Sequence, residues 1–440
     1  MMLAASALLG AASIGLGRAA TASSAWPSVS VTQIQAEIER HIAESSARTG
    51  GYYRLTTNEK QFEFKLVRVH TEYLSRLGHG RQFACVDLVD RAGDVYDVDF
   101  FLEGGAGAMR VTETSLHKLN GIPFYTWKQE ADRSWTRVPV EGSPPSLMGV
   151  VTGTDTFEFR YRITIPALPQ LARLWIPLPA SDAFQTVELL SLASPVEPLR
   201  VTDRVHGNTA WLFELGPQVS GRSIDIRYRV RRREKPAYAA SPEGLERWLQ
   251  SETLVPDTPE FRAIAEEVVR GKMGDLVRAR ALYDHVMDRM RYMKHGPGWG
   301  KGDAVYACRL RTGNCSDFHA YFVGLARAAG IPARFAVGAA IPSERDEGGI
   351  DGYHCWAEFY AEGKWWPVDV SEADKYSSLA TYYFGHHPAN RIEFSRGRDL
   401  VFDPGPQSGP INFLAFPVLE VGRCPVNVRP ELSFQRKDAL

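Results

Sequence analysis

The spacing of apolar residues changes at Pro236, and this change constrains the fold more strongly than any other feature of the chain. Between residues 150 and 236 apolar side chains alternate with polar ones, most regularly from Phe157 to Ile165, and no helical period occurs. Alternation with a period of two is typical of strands that bury one face. We therefore predict a β-sandwich domain over residues 150–236, followed by a region that mixes helices with strands.

A smaller domain is predicted before the sandwich. Ile34, Ile38 and Ile42 recur at four-residue spacing, which places them on one face of a helix. The segments EFKLVRV, FACVDLVD and DVYDVDFFLE that follow alternate in period two and indicate an antiparallel sheet. We predict a small α+β domain over residues 28–140, which ends at the Gly- and Pro-containing segment VEGSPPSLMG.

The length of the chain sets the number of domains to expect, and its net charge bears on the kind of partner. A chain of 440 residues is too long for one hydrophobic core, so two or three domains are expected. The formal net charge of −1 gives no reason to expect a nucleic acid partner. The densest basic run, from Arg227 to Lys235, first alternates with apolar residues. We interpret it as the solvent face of a strand that leads into a linker, in preference to a polyanion site.

The first residues predict export. Residues 1–22 contain a short apolar run with small residues at a possible cleavage site, Ala20 and Ala22, as in a secretory signal peptide. The alternative is a buried helix, because no Lys or Arg precedes the run. No other apolar segment is long enough to span a bilayer, so we predict a periplasmic or secreted chain without an integral membrane segment. The five cysteines leave at least one thiol unpaired.

Beyond residue 250 the pattern indicates helices and then strands. Thr258 and Pro259 form a helix start, and Leu282 and Val286 share one face of a second helix. A third helix is predicted to begin at Cys315 and to stop before Gly330 and Pro332. The strand-like segments RFAVGAAI, HCWAEFY and KWWPVDV follow it.

Cys315 stands where a thiol becomes reactive. Asn314 is suited to cap the third helix, and Asp317 completes a box-like cap, which places Cys315 in the first turn. Unpaired backbone N–H groups and the helix dipole there favour an anion, so the pKa of the thiol should fall. The same N–H groups can stabilise an oxyanion when a carbonyl is attacked. The alternative is that Cys315 is a small packing residue under a tight turn.

A base and its partner lie on a predicted hairpin. His354 begins one strand, a turn at Glu362 and Gly363 reverses the chain, and Asp369 ends the return strand. Asp369 can therefore accept the ring N–H of His354 and hold the ring in the tautomer that a base needs. Taken singly, His354 could be a core histidine and Asp369 a turn cap. The ordered set with Cys315 favours catalysis.

These segments resemble a known family. GNCSDFH, GIPAR, YHCWAEF and WWPVDVSEA resemble the core of the transglutaminase-like superfamily, and the tail through NFLAFPVLEV is similar to that of bacterial exported members. The resemblance covers about residues 150–422. It implies an α+β protein in which a papain-like transglutaminase core, residues 250–422, follows the β-sandwich and the N-terminal domain. The family's catalytic residues correspond to Cys315, His354 and Asp369.

The resemblance also implies further positions of the site. A second oxyanion donor in relatives is a Trp or Gln side chain upstream of the cysteine, and Trp299 and Tyr306 are the candidates here. Trp356, Trp365 and Trp366 are candidates for a substrate groove. Packing in the hairpin core is the favoured alternative for these three, because large aromatic side chains usually pack.

The expected chemistry is attack of the thiolate on an amide carbonyl, which releases an amine and leaves a thioester. Hydrolysis of that thioester would make the protein a peptidase or amidase of peptide or cell-envelope substrates, and the resemblance favours this outcome. The alternatives are transfer to an amine, as in a protein-glutamine transamidase, and a non-catalytic peptide- or glycan-binding protein.

No cofactor or metal is predicted. Cys315 and His319 are four residues apart on one helix face, and His386 and His387 offer further ligands. No CxxC pair, HExxH motif or EF-hand loop accompanies them, so a metal site at the nucleophile is not favoured.

Overall fold

The protein is a mixed α+β structure, as predicted, in which a β-sandwich and an N-terminal α+β unit accompany a core of helices on a sheet. The computed structural model describes residues 29–437 apart from short gaps. The predicted signal peptide, residues 1–22, and the segment VEGSPPSLMG lie outside the described residues. The gaps are residues 57–60, 71–74, 79–80, 106, 121, 124, 130–134, 140–149, 295–297, 344, 351 and 376–378.

The N-terminal unit packs one helix on an antiparallel sheet. The predicted apolar face of the helix is confirmed, since Ile34, Ile38 and Ile42 are buried against Val86 and Phe100 of the sheet. The sheet order is β1-β2-β4-β5-β6-β7, with β3 paired to β4. The elements are α1 (Val31–Ala47), β1 (Tyr53–Thr56), β2 (Gln61–Val69), β3 (Ser75–Gly78), β4 (Arg81–Asp90), β5 (Val95–Glu103), β6 (Arg110–Leu119), β7 (Ile122–Pro123), β8 (Tyr125–Gln129) and β9 (Trp135–Pro139).

The next strands form the predicted sandwich, and alternate residues of its long strands are buried, such as Phe157, Phe159 and Tyr161. Two of its strands, residues 185–193 and 199–203, lie in segments for which no strand was predicted. The strands are β10 (Thr154–Thr164), β11 (Ala172–Leu178), β12 (Gln185–Ala193), β13 (Leu199–Asp203), β14 (Thr209–Leu215) and β15 (Ser223–Arg233).

The basic run follows its prediction only in part. Arg227, Arg229 and Arg231 are exposed on β15, as expected of the solvent face of a strand. Arg232 and Lys235 are fully buried instead. Lys235 Nζ lies 2.6 Å from Glu358 Oε1, and Arg232 donates to Gln185 Oε1 at 3.0 Å. The prediction of a solvated linker was wrong here because distant acceptors cover the end of this strand.

The core places helices on an antiparallel sheet of order β17-β23-β22-β20-β25. Phe322, on the helix that begins at Cys315, packs on Phe359 of the central strand, so this helix lies directly on the sheet. Two strands of this part of the chain, β21 (Glu347–Ile350) and β26 (Phe402–Asp403), join the sheets of the sandwich. The other elements are β16 (Lys235–Pro236), β17 (Tyr238–Ala239), α2 (Pro259–Val269), α3 (Asp275–Arg289), β18 (Arg291–Tyr292), α4 (Ala304–Leu310), β19 (Thr312–Gly313), α5 (Cys315–Ala328), β20 (Ala333–Ala340), β22 (His354–Ala361), β23 (Lys364–Val368), α6 (Val370–Lys375), β24 (His386–His387) and β25 (Arg391–Arg396).

The chain then returns to the sandwich. Its last strands complete the two sheets, whose orders are β12-β15-β10-β29-β21 and β26-β13-β14-β11-β27-β28. The core therefore lies between strands of the sandwich in sequence. In the part of the chain that the structure describes, no helix is long and apolar enough to cross a membrane. The last strands are β27 (Val418–Val421), β28 (Cys424–Asn427) and β29 (Glu431–Arg436).

Candidate active site

Cys315 is the first residue of α5, and its helix start has the predicted cap. The side chain of Asn314 accepts a hydrogen bond from the backbone N–H of Ser316 at 3.0 Å. In return Asp317 Oδ2 accepts the backbone N–H of Asn314 at 2.9 Å, which completes a capping box. Two of the N–H groups at this helix start are thus satisfied, and Cys315 is held, 2% exposed, where the dipole favours an anion.

Asp317 also anchors the loop that precedes the nucleophile. Its two carboxylate oxygens accept the backbone N–H groups of Gly300 at 2.7 Å and Gly302 at 3.0 Å. Burial raises the pKa of Asp317 to about 6, although these N–H donors act in the opposite direction. The carboxylate therefore ties the loop around residue 300 to the first turn of α5.

His354 and Asp369 meet as the hairpin pattern predicted. The predicted turn is present, with positive φ at both Glu362 and Gly363, as a tight hairpin turn requires. His354 Nε2 lies 2.6 Å from Asp369 Oδ2, and both residues are buried. The other ring nitrogen of His354, Nδ1, is left for the thiol.

Asp369 has a second set of partners. Its Oδ1 accepts the hydroxyl of Ser371 at 2.9 Å and the backbone N–H of Glu372 at 3.1 Å. These bonds cap the start of α6. The carboxylate thus holds the His354 ring with one oxygen and a helix start with the other. The sequence left open whether Asp369 is a partner of His354 or a cap, and in the structure it is both.

Cys315 and His354 shift each other's pKa. Burial opposes ionisation of Cys315, but the Cys355 thiol and the His354 imidazole outweigh it and hold the pKa of Cys315 well below its usual value. Burial likewise opposes the charged form of His354, but Asp369 and the Cys315 sulfur raise the pKa of His354 to about 9. At neutral pH the favoured state is a thiolate beside an imidazolium.

Cys355 is a contact of Cys315 that the sequence patterns did not indicate. It follows His354 on β22, is fully buried, and hydrogen-bonds the Cys315 sulfur. Burial and the charge on Cys315 raise the pKa of Cys355 well above its usual value. Cys355 therefore stays protonated and acts as an S–H donor to the thiolate.

His319 supports the same helix start from one turn further along α5. Its Nδ1 lies 2.7 Å from the carbonyl oxygen of Cys315, and its Nε2 accepts the backbone N–H of Val370 at 3.0 Å. Because Nε2 accepts, Nδ1 carries the proton and the ring is neutral; burial lowers the pKa of His319 accordingly. The ring thus joins the nucleophile helix to the start of α6.

Tyr353 closes the opposite side of the helix start. Its hydroxyl donates to the carbonyl oxygen of Gly300 at 3.0 Å and accepts from Asn314 Nδ2 at 3.1 Å. The hydroxyl also lies 3.3 Å from Ser316 Oγ. Only the position of Tyr353 beside His354 in sequence could have suggested this role, since an isolated tyrosine carries no motif.

The sequence model of the Transglutaminase-like superfamily matches residues 262–370. This range contains Cys315, His354 and Asp369 and most of the core helices. The chain carries a transglutaminase-like domain. Its fold is the one that the resemblance implied, with the helix that begins at Cys315 packed on a sheet whose central hairpin brings His354 and Asp369 together.

Individual relatives are distant. An uncharacterized protein of Haemophilus influenzae is 25% identical over 326 residues, which are 63% of this chain and 88% of the relative. A candidate cysteine protease from Cytophaga hutchinsonii has 17% identity and a TM-score of 0.44 over 64% of this chain and 99% of its own. The periplasmic domain of TgpA from Pseudomonas aeruginosa has 16% identity and a TM-score of 0.29 over 55% of this chain and 95% of its own.

The candidate oxyanion donors lie near the nucleophile of the transglutaminase-like domain in sequence but differ in setting. Trp299 is 36% exposed, and Lys294 Nζ lies 5.9 Å from its ring centroid. It adjoins Gly300, which the side chain of Asp317 holds at the start of α5. Tyr306 lies on α4, where its ring packs against Gly298. The role of either residue as an oxyanion donor stays a prediction.

The three tryptophans of the hairpin are buried. Trp356 packs against His387 with tilted rings whose centroids are 4.2 Å apart, and Trp366 donates from Nε1 to the carbonyl oxygen of Ala361 at 2.9 Å. The Arg334 guanidinium lies 3.9 Å from the Trp365 ring centroid. Such packing supports the core interpretation, so we do not place these rings at a substrate groove.

The metal site considered at the nucleophile is not assembled. Both ring nitrogens of His319 are engaged within the protein, as described above. His386 Nε2 lies 3.2 Å from Asp94 Oδ1, and His387 faces Trp356. In the described part of the chain, Cys315 and these histidines do not group at metal-ligand spacing.

Proposed function

We propose that this protein is a thiol-dependent acyl-transfer enzyme that acts on amides, with Cys315 as nucleophile, His354 as its acid and base, and Asp369 as the group that orients the ring. The observation that carries the proposal is the buried pairing of a low-pKa thiol with an imidazole that a carboxylate holds at 2.6 Å. A packing role requires no such pairing, and perturbed pKa values of this kind gather at catalytic sites.

The proposed reaction begins with the thiolate of Cys315 attacking the amide carbonyl. The backbone N–H of Cys315 is the donor that we assign to the oxyanion, because the N–H groups of Ser316, Asp317 and Phe318 are already bonded to Asn314. The imidazolium of His354 then donates its proton to the leaving nitrogen, the C–N bond breaks, and a thioester remains. The neutral imidazole next removes a proton from water, which attacks the thioester, releases the acid and restores the thiolate–imidazolium pair.

Water as the acceptor makes the enzyme a peptidase or amidase, which is the outcome we favour from the resemblance to bacterial members. The signal peptide predicted over residues 1–22 supports peptides or proteins of the cell envelope as the proposed substrates. Both parts belong to the proposal, and transfer to an amine is the competing outcome.

Trapping the acyl-enzyme tests the proposal. Purified protein is incubated with glutamine-containing peptides and with peptidoglycan peptides, quenched in acid, and weighed intact. We expect a mass increase on Cys315 that equals the acyl part of one substrate. Adding a dansyl amine separates the outcomes: free acid supports hydrolysis, and fluorescent peptide without free acid overturns it. Absence of any adduct across a broad panel, with Cys315 unreactive to iodoacetamide, contradicts catalysis and leaves a binding protein.

The pH profile of kcat/KM should be bell-shaped, with an alkaline limb near pH 9. The thiolate–imidazolium pair exists only while His354 is protonated, and Asp369 raises the pKa of His354 to about 9. Activity is therefore lost as the pH rises through that value and is lost at low pH when Cys315 becomes protonated. Steady-state rates on the peptide identified by trapping, measured across the pH range, check this. An alkaline limb near the ordinary histidine pKa would contradict the pairing.

Cys355→Ala should make Cys315 less reactive at mildly acidic pH. The S–H of Cys355 donates to the Cys315 thiolate, so its removal raises the pKa of Cys315. The loss of one such hydrogen bond should slow iodoacetamide alkylation of Cys315 by about three- to tenfold on the acidic limb. Cys308→Ala, which changes a thiol that is only half-buried, is the matched control. Identical alkylation profiles for Cys355→Ala and the parent protein would contradict the role of Cys355.

A further inference from the structure

A second cluster of reactive side chains lies outside the candidate active site, in the N-terminal sheet. Cys85 on β4, Asp97 and Asp99 on β5, and His117 on β6 place one ligand atom each within 4.8 Å of one another. None of the four is more than 8% exposed. The transglutaminase-like match, residues 262–370, does not include this sheet, and the acyl-transfer proposal uses none of these groups.

The strand pattern explains why the cluster is on one face. Val86 and Val98 face α1 and pack in its core, so the residues that alternate with them face the other way. Cys85 lies directly opposite Asp99 in the register of β4 and β5. A face of this composition would ordinarily be solvated, yet Asp97 and Asp99 are buried, and burial of carboxylates requires compensation.

A β-bulge brings the histidine into the group. Asp97 pairs with Lys118 and Val98 pairs with Leu116, so His117 is the extra residue of β6. Bulges redirect side chains and often accompany functional sites. Here the result is that His117 Nδ1 lies 3.3 Å from Asp99 Oδ1.

The distances suit a small tetrahedral ion. Cys85 Sγ lies 3.2 Å from Asp99 Oδ1, and His117 Nδ1 lies at nearly the same distance from that oxygen. Ligand bonds of about 2.0–2.3 Å to zinc give tetrahedral edges of roughly 3.3–3.7 Å. Asp97 Oδ2 accepts from Lys118 Nζ at 2.9 Å, whereas Asp97 Oδ1 is buried and accepts no hydrogen bond within the described residues. One carboxylate oxygen thus remains for an ion.

We propose that Cys85, Asp97, Asp99 and His117 bind a divalent transition-metal ion, with Zn²⁺ the best match to one sulfur, one nitrogen and two oxygen donors. Four protein ligands without an open position are typical of a structural site, not a catalytic one. The soft thiolate argues against Mg²⁺ and Ca²⁺, which prefer oxygen ligands.

Charge balance supports the ion. On binding, Cys85 loses its proton, so one thiolate and two carboxylates carry three negative charges. The ion supplies two positive charges and Lys118 supplies the third, which makes the buried group neutral. Without the ion, a thiol, two carboxylates and Lys118 leave one negative charge inside the protein unless His117 is protonated.

The site also explains how the sheet is held on the core. Asp87 lies on the same face of β4, directly opposite Asp97, and its Oδ2 is 2.5 Å from Arg280 of α3. Asp87 Oδ1 is 3.0 Å from His70 Nε2. A metal ion that fixes β4, β5 and β6 together would therefore stabilise the surface that contacts α3.

The test uses the full chain, stripped of metal with a chelator and then given ZnCl₂ or CoCl₂. We expect one equivalent of zinc per chain by elemental analysis and a higher Tm on addition of Zn²⁺. Cobalt should give intense visible bands of a tetrahedral site and a thiolate-to-cobalt band in the near ultraviolet. Cys85→Ser should lose the thiolate band and weaken zinc affinity at least about tenfold, the lower end of losses seen even for groups that only support ligands.

Cys308→Ala is the matched control and should keep the bands and the stoichiometry, because Cys308 lies on α4 outside the cluster. Should Cys85→Ser fail to fold, His117→Gln takes its place: it should weaken zinc affinity at least about tenfold, and unchanged affinity overturns the proposal. Failure of the parent protein to bind an equivalent of zinc or cobalt overturns the proposal and leaves an ion-pair cluster. Equal binding by Cys85→Ser overturns it as well. Neither result bears on acyl transfer, which is measured separately.

Discussion

Cys315→Ala is expected to reduce kcat on any substrate that forms the acyl-enzyme by about 10⁴-fold or more, which is the scale seen when a nucleophile is removed from such a triad. The thiolate is the atom that bonds to the carbonyl, and no other sulfur can take its place, since Cys355 is held protonated beside it. Alanine suits a first helical turn, so α5 should still form. Steady-state hydrolysis of the trapped peptide provides the measurement.

Two comparisons make this result interpretable. Cys308→Ala removes a thiol of α4 that is only half-buried and should leave kcat within about twofold, because surface changes of this kind rarely matter. Thermal unfolding of Cys315→Ala should resemble that of the parent protein. Turnover by Cys315→Ala within tenfold of the parent would rule out the thioester pathway, whatever the fate of the other thiols.

Asp369→Asn is expected to lower kcat by about 10⁴-fold, as loss of the orienting carboxylate does in related arrangements. Asparagine cannot stabilise the imidazolium as a carboxylate does, so the pKa of His354 falls and the alkaline limb of the pH profile moves to lower pH. Rates measured across the pH range test both effects in one experiment.

The substitution carries its own structural control. Asparagine caps helices about as well as aspartate, so the start of α6 should remain capped. Asp369→Ala removes the cap and the orienting group together and should lower Tm further than Asp369→Asn. If instead Asp369→Asn keeps full activity and both variants only lose stability, Asp369 is a helix cap alone and the proposed triad is wrong.

The parts of the site that depend on local pattern could be predicted. The capping box at Asn314, the start of α5 at Cys315 and the tight turn at Glu362 each follow from a few adjacent residues. The turn brings Asp369 near His354 but not directly opposite it: Ala357 pairs with Val368, so Asp369 lies level with Trp356 and reaches the His354 ring diagonally.

The parts of the site that depend on contacts between residues distant in sequence could not be predicted. Cys355 and His319 act through Cys315 only once β22 and α6 pack against α5, and neither residue has a motif of its own. Lys235 was predicted to lie in a solvated run, because its partner Glu358 belongs to another element and the sequence does not show that the two meet. The cluster around Cys85 was missed for the same reason, since its ligands come from three strands and a bulge.

The last strand of the chain has a consequence for how the protein acquires its shape. β29 pairs with β10 and with β21, so residues 431–436 lie beside residues 154–164, which come far earlier in the sequence. Closing so large a loop is slow, and topologies with such remote pairings fold slowly. The helices around Cys315 can assemble from neighbours in the sequence, whereas the sandwich must wait for its final strand. Protection from hydrogen exchange should therefore appear in α5 well before it appears in β10.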